Sequence, residues 1–498
     1  MVCGTSSDAG KSTVVTALCR LLSRRGVKVA PFKAQNMALN SYVTPSGHEI
    51  GRAQGIQALA ARVTPEVAMN PILLKPTGER TSQVVVLGRP WAHLDAVAYH
   101  QAKPRLLGVV LDALGDLRQR FDVIICEGAG SPAELNLVDH DIVNLRVARE
   151  AGFPAIVVGD IDRGGVFAAL YGTVALLADD LRPLVKGFVI NKLRGDPALL
   201  GDGPAELQRR CGVPTLGVLP YLHDVALDAE DSLALSGHRP RPASDPGATT
   251  GGDHIDVAAI RFPRISNFTD LDALAIEPGV NVRLVEQASA LGDPDLIILP
   301  GTKATVSDLE WLRGRGFPDA MAACQTTVLG ICGGYQMMGR KITDPVEAGR
   351  PDPVTGLGWL PVETVFVAAK TTRQRRGRAL GQRISGYEIH HGRTEPQFLA
   401  EPMPIDMSSA RNWIELDDGY GQDAGGTAAG PILGTVLHGL FEEDGFRWAF
   451  LSEIAARRGK RWQPTGVSFA AARESQIDRL ADMVEAHLDL AALEAMLT

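Results

Sequence analysis

The stretch Ser236–His254, SGHRPRPASDPGATTGGDH, is rich in proline and glycine and nearly empty of apolar residues. Such a segment cannot enter a core, so it reads as a linker between two parts that must each bury their own. Before it lie short apolar runs at Val27–Ala30, Val123–Cys126, Ala155–Val158, Gly187–Ile190 and Thr215–Leu219, with amphipathic stretches between several of them. One of these places Val14, Ala17, Leu18, Leu21 and Leu22 on a single face at 3.6-residue spacing. After the linker the alternation resumes at Val257–Ile260, Val282–Val285, Leu296–Leu299 and Thr327–Ile331. Strand–helix alternation of this kind makes a parallel sheet covered by helices. The expectation is an α/β chain with domains at 1–235 and 255–445, a linker at 236–254 and a helical tail at 446–498. In that tail Leu480, Met483, Val484, His487 and Leu488 fall on one expected face.

Composition narrows the partners. The chain has 498 residues, 50 of them basic and 58 acidic, for a net charge of −8. That balance argues against a general nucleic-acid binder, which needs a basic surface. No apolar run approaches the roughly 20 residues that span a bilayer, and Met1-Val2-Cys3-Gly4 does not open like a secretory signal. Six scattered cysteines form no C-x-x-C pair and no zinc spacing. A reducing cytoplasm is the expected setting. Nothing in the sequence speaks to oligomeric state.

Two motifs carry chemistry. The first, Gly4-Thr-Ser-Ser-Asp-Ala-Gly10-Lys11-Ser12-Thr13, is a glycine-rich loop entering a helix, a P-loop. Backbone N–H groups and the positive helix end suit it to phosphate, with Lys11 reaching the β/γ-phosphates and the Ser12 hydroxyl available to Mg²⁺. Five residues separate its glycines where four are usual. Only Met1–Cys3 precede it, where a strand of about five or six residues is ordinary, so the first strand is expected to be short or its start truncated. Glu127 ends the apolar run Phe121–Cys126 ahead of Gly-Ala-Gly130. A carboxylate at the carboxyl end of a parallel strand is a Mg²⁺ or water-organising candidate, against the plain alternative of a solvated glutamate.

The second motif is Gly330-Ile331-Cys332-Gly333-Gly334, an apolar strand turning sharply into a helix. G-x-C-x-G is the cysteine form of the nucleophile elbow, and the helix N-terminus favours thiolate. The base would come from elsewhere in the fold. His438, after the apolar run 434–437, is one candidate; His390 and His391 are its rivals, and spacing alone does not choose among them. The turn Leu299-Pro-Gly301-Thr-Lys303 could supply the Gly301 N–H to an oxyanion hole.

On these residues the chain resembles known families. The first half is similar to the dethiobiotin-synthetase-like ATP-dependent ligases, which share the loop spacing and the E-G-A-G strand end. The second half is similar to the class I glutamine amidotransferases. The fusion in this order resembles the cobyric acid synthases of cobalamin biosynthesis, through GTSSDAGKS, FKAQNMALNSYVT, EIGRAQ, NPILLKP, GDIDRGGVFA, NKLRGD, PRISNFTD, LPGTK, GICGGYQMMG, GYEIHHGRT and LHGLFE. The resemblance implies ATP and Mg²⁺, with glutamine as ammonia donor and a corrinoid, adenosylcobyrinic acid a,c-diamide, as the substrate amidated on its b, d, e and g carboxylates. It implies nucleotide contacts for Gly10, Lys11, Ser12, Thr13 and Lys33, an adenine-reading role for Asn191, metal contacts for Ser12 and Glu127, and the catalytic pair Cys332 and His438. Asp162 and Arg163 would touch the corrinoid or the phosphates. Glu49 or Gln54 of EIGRAQ would take the place of a magnesium-binding aspartate. Class I amidotransferases usually carry His-x-Glu; here Leu440 stands two places after His438, so the group that orients the histidine is left open, with Glu442 a weak candidate. Lys370–Arg383, with six basic residues and no acids, would either attract a polycarboxylate or form a solvated loop. The alternatives are a cobyrinic acid a,c-diamide synthase, a cell-wall lipid ligase and a nucleotide-dependent switch ATPase with a degenerate tail.

Overall fold

A computed structural model describes residues 1–78, 80–137, 140–222, 253–397, 410–418 and 425–497. Most of the expected linker, 236–252, lies outside the described residues. In the first half Val2–Gly4, Ala155–Asp160, Val185–Leu193 and Thr215–Pro220 form a parallel sheet in that order. Val29–Phe32 pairs in parallel with Val123–Cys126, and a bridge from Val2 to Glu127 joins the two groups. The first strand is three residues long and fully buried, short as expected.

The helix Lys11–Arg24 follows the phosphate loop and buries the five residues of its apolar face. It also buries Val15, Cys19 and Arg20, which a one-sided amphipathic helix would leave wet. The reason is a second cover. The C-terminal helix Phe469–His487 lies across it, with Ile477, Leu480, Met483 and Val484 in the same apolar cluster as Leu18, Leu21 and Leu22. Arg20 is fully buried and meets Glu474 at 2.6 Å. His487 is exposed and not part of this face. Leu488 is buried beyond the helix end, bridged to Gly217 of the sheet.

In the second half Val280–Val285, Ile255–Ile260, Leu296–Leu299, Thr327–Ile331 and Ile432–Thr435 run in parallel, followed by two antiparallel strands, Gly426–Ala429 and Arg411–Asn412. The helix Asp444–Arg457 packs on this sheet through Phe446, Phe450, Leu451 and Ile454.

Two features escape hydrophobic patterning. One is a four-stranded sheet, Gln35–Met37, Ile72–Pro76, Thr81–Val86 and Arg89–Asp95, inserted in the first half. The other is a long hairpin, Val362–Ala379 with Gln382–Pro396. The basic stretch 370–383 is therefore paired strand and not a loop. Its Lys370 reaches Glu49, Arg373 and Arg375 reach Glu388, and Arg376, Arg378 and Arg383 stay exposed.

Candidate active site

The phosphate loop and Glu127 meet at the carboxyl ends of the first sheet. Ser12 Oγ donates to Glu127 Oε1 at 2.9 Å, and Lys33 Nζ donates to the same oxygen at 2.8 Å. Gln57 Nε2 donates to Oε2. Three donors around one carboxylate make its burial affordable, since an unpaired buried charge costs several kcal/mol. Lys11 Nζ donates to Ser6 O at 2.9 Å and Gly130 O at 3.2 Å, bridging the loop and the E-G-A-G turn. Gly10 has φ +100°, and a Cβ there would meet Asn191 Nδ2 at 2.0 Å. Asn191 lies against the loop and donates Nδ2 to Ala9 O at 2.9 Å. Thr13, in the first helical turn, is partly exposed.

A buried carboxylate beside a hydroxyl at a helix N-terminus suits Mg²⁺, which takes one or two protein oxygens and fills its octahedron with water and phosphate. Glu49 instead faces Ser41 Oγ, Lys75 and Lys370, the two lysines lining the pocket at Cys332 and not the phosphate loop. Gln54 accepts from Asn36 at 3.0 Å. On the helix Arg52–Ala60 the residue that reaches Glu127 is Gln57. Asp162 pairs with Arg194 at 2.6 Å, and Arg163 is largely exposed, 3.7 Å from Asp8.

The second site sits where Thr327–Ile331 and Ile432–Thr435, adjacent strands, end side by side. Cys332 takes φ 51°, ψ −107° and caps the helix Gly333–Met338. Left-handed backbone at a non-glycine residue is strained and persists only where its surroundings enforce it. They do here: a Cβ on Gly334 would meet Leu299 O at 1.9 Å, and one on Gly330 would meet the Tyr335 backbone at 2.7 Å.

His438 is the residue brought to the thiol. It is fully buried, stacks on Tyr387 at 5.3 Å and exchanges backbone hydrogen bonds with it. Its Nδ1 meets Asp270 Oδ2 at 2.7 Å, and Asp270 Oδ1 accepts from Gly439 N at 2.7 Å. Asp270 is thus the orienting group. Burial alone would push the imidazole down, but the Asp270 carboxylate reverses the sign and, with Cys332, carries it up to about 10. Burial likewise pushes the Cys332 thiol up, and the hydrogen bond and charge of His438 bring it below the ordinary value. Each group thus shifts the other toward the thiolate–imidazolium form, and the second histidine nitrogen is locked by the carboxylate. Glu442 points elsewhere, to Arg52 at 2.7 Å and Arg473 at 3.1 Å. Of the rival histidines, His390 Nδ1 faces Gly392 O at 2.7 Å and His391 Nε2 faces Gln83 at 3.1 Å. Gly301 lies beside His438; a Cβ on it would meet His438 Cε1 at 2.8 Å. Asp270 stands in PRISNFTD, 168 residues before His438, and its only sequence signal was its place in that motif.

A buried polar seam runs from one site toward the other. Asn267 Nδ2 lies 3.3 Å from His438 Nε2, and its Oδ1 accepts from Ser41 N of the first half at 2.8 Å. Asn40 Oδ1 accepts from Phe268 N, and its carbonyl accepts from Arg52 N. Asn36, Gln54, Asn70 and Gln57 continue inward to Lys33 and Glu127, all nearly or fully buried. Gln54 Nε2 and Gln57 Oε1 have no hydrogen-bond partner among the described residues. Unsatisfied buried amides in a row are costly unless a small polar molecule visits them.

Residues 1–234 match the CobQ/CobB/MinD/ParA nucleotide binding domain, and 256–446 match the CobB/CobQ-like glutamine amidotransferase domain. A cobyric acid synthase of Streptomyces coelicolor is 52% identical over 99% of this chain and 95% of its own length. One from Rhodococcus jostii is 52% identical over 100% of this chain and 95% of its own. With two sites of this kind on a chain so similar to these proteins end to end, the chain belongs to the cobyric acid synthase family.

Proposed function

We propose that this chain amidates the b, d, e and g carboxylates of adenosylcobyrinic acid a,c-diamide, using ATP, Mg²⁺ and glutamine. The observation that carries the reading is the pairing of a Cys332–His438–Asp270 relay with a phosphate loop in one chain, joined by a buried polar seam. A carboxylate is a poor acyl donor because its charge is delocalised and oxide is a poor leaving group. Transfer of the ATP γ-phosphoryl group gives the oxygen a phosphate to leave on. Lys11 and Lys33 supply positive charge where negative charge develops. Ser12 and Glu127 would hold Mg²⁺, whose chemistry is to neutralise phosphate charge during that transfer. Asn191 and Thr13 belong to the nucleotide contacts.

Ammonium is not a nucleophile at neutral pH, so nitrogen must be delivered unprotonated and out of water. Cys332 thiolate attacks the glutamine side-chain carbonyl carbon. The His438 imidazolium gives its proton to the departing nitrogen, and NH₃ leaves a thioester behind. The imidazole, now neutral, takes a proton from water as it attacks the thioester, releasing glutamate and restoring thiolate and imidazolium. Asn267, Asn40, Asn36, Gln54 and Gln57 offer the ammonia a hydrogen-bonded route to the acyl phosphate.

Mass spectrometry of the corrinoid product tests the reading. Four exchanges of hydroxyl for amide are expected from the a,c-diamide with ATP and glutamine. Amidation of cobyrinic acid at two positions only would favour the a,c-diamide synthase instead.

A further inference from the structure

Cys332 opens onto a pocket whose wall is not made by its own half alone. Lys303, Glu347 and Lys370 line it from the second half, and Lys75, on the strand Ile72–Pro76, lines it from the first. Lys303 pairs with Glu347. Lys75 and Lys370 both pair with Glu49, Lys75 Nζ at 2.6 Å from Oε1, and Lys75 Nζ also donates to Ser41 Oγ at 2.7 Å. Three ammonium groups thus face two carboxylates, all nearly or fully buried. The nearby histidines do not change the balance. Burial, with the charges of Lys303 and Lys370, pushes His391 down to about 4, so it is neutral, and His390 faces Glu388 at 3.7 Å. Burial, with Lys75 and Lys303, brings Lys370 down to about 8, which still leaves it charged at neutral pH. His438 balances Asp270, and any thiolate charge on Cys332 disappears on acylation. A surplus buried cation is expensive without a counter-ion. The Gln336 amide Nε2, on the same wall, is buried and has no hydrogen-bond partner among the described residues.

We propose that this surplus charge holds the α-carboxylate of the ammonia donor, with Lys75 contributed by the nucleotide-binding half and Gln336 Nε2 as a further donor, so that the glutamine pocket is complete only when the two halves are docked as here. The assignment deepens the amidotransferase reading and rests on it. Glu347 sits opposite as the partner for the α-ammonium. A donor lacking the α-carboxylate would leave one lysine unpaired, and a first half displaced from the second would leave the pocket short of a cation.

The test compares ammonia release from glutamine and from glutamine α-methyl ester in the full-length enzyme. Lys75→Met keeps the stem and removes the charge; Glu49 keeps Lys370. The expected result is a rise in KM for glutamine of about tenfold, with kcat held and the ester unaffected, so that the wild-type preference for the free carboxylate collapses. Lys75→Arg should restore the preference even if its KM is not ideal. Equal losses for both donors in Lys75→Met, or an unchanged ratio, would overturn the assignment. If the wild type released no ammonia from glutamine, the underlying reading would fail and take this one with it.

Discussion

The two sites are built on opposite plans. At the phosphate loop the polar groups satisfy one another: Glu127 accepts from Ser12, Lys33 and Gln57. At the elbow Asp270, Cys332 and His438 shift one another: the carboxylate raises the histidine, and the histidine lowers the thiol. The two halves meet at the elbow through the shared wall at Lys75 and the Asn267–Ser41 contact.

The largest expected effect breaks the comparison cleanly. Cys332→Ala should lower glutamine-dependent amidation by about a thousandfold or more, while amidation with ammonium salts at high pH persists, measured as amide product by mass spectrometry. Lys11→Ala should do the reverse, reducing amidation from both nitrogen sources by about 100- to 1,000-fold while Cys332 still alkylates with iodoacetamide. Next comes Asp270→Asn. Asp270 raises His438, and the resulting imidazolium lowers the thiol; without the carboxylate the histidine titrates lower and the thiol higher. Glutaminase kcat should fall by about 100-fold, and the inflection of the alkylation rate against pH should move upward. Glu442→Gln, by contrast, should leave that inflection where it is. The smallest effect is Arg25→Gln. Its pairs with Glu485 and Glu494 are exposed, so loss of stability should be under about 1 kcal/mol and vanish in high salt, as read from thermal melts.

Strand positions were the most legible part of the chain, because a doubly covered parallel strand is an unbroken apolar run: Val123–Cys126, Leu296–Leu299 and Thr327–Ile331 appear at the expected residues. The hairpin around 370–390 was opaque for the opposite reason. Lys370 is matched by Glu49 of the first half, Arg375 by Asp418, and Arg373 and Arg375 by Glu388 on the facing strand, and a charge whose partner arrives only through the fold looks like a solvated one. The same blindness hid Asp270, since a carboxylate next to Thr269 carries no mark that a histidine 168 residues later will donate to it. Cys332 was visible because strain has a local signature, the glycines that close backbone approach demands.

The last long helix, Phe469–His487, lies on the helix that begins at Lys11. A ribosome therefore releases the phosphate loop hundreds of residues before the surface that shelters Leu18, Leu21 and Leu22 has been made. Until then the nascent first half shows an oily stripe and a bare arginine, Arg20, to its surroundings. Cutting the gene at the proline-rich joint would freeze that condition permanently, so the first half expressed by itself is expected to need detergent, a chaperone or the returning helix supplied as a separate peptide.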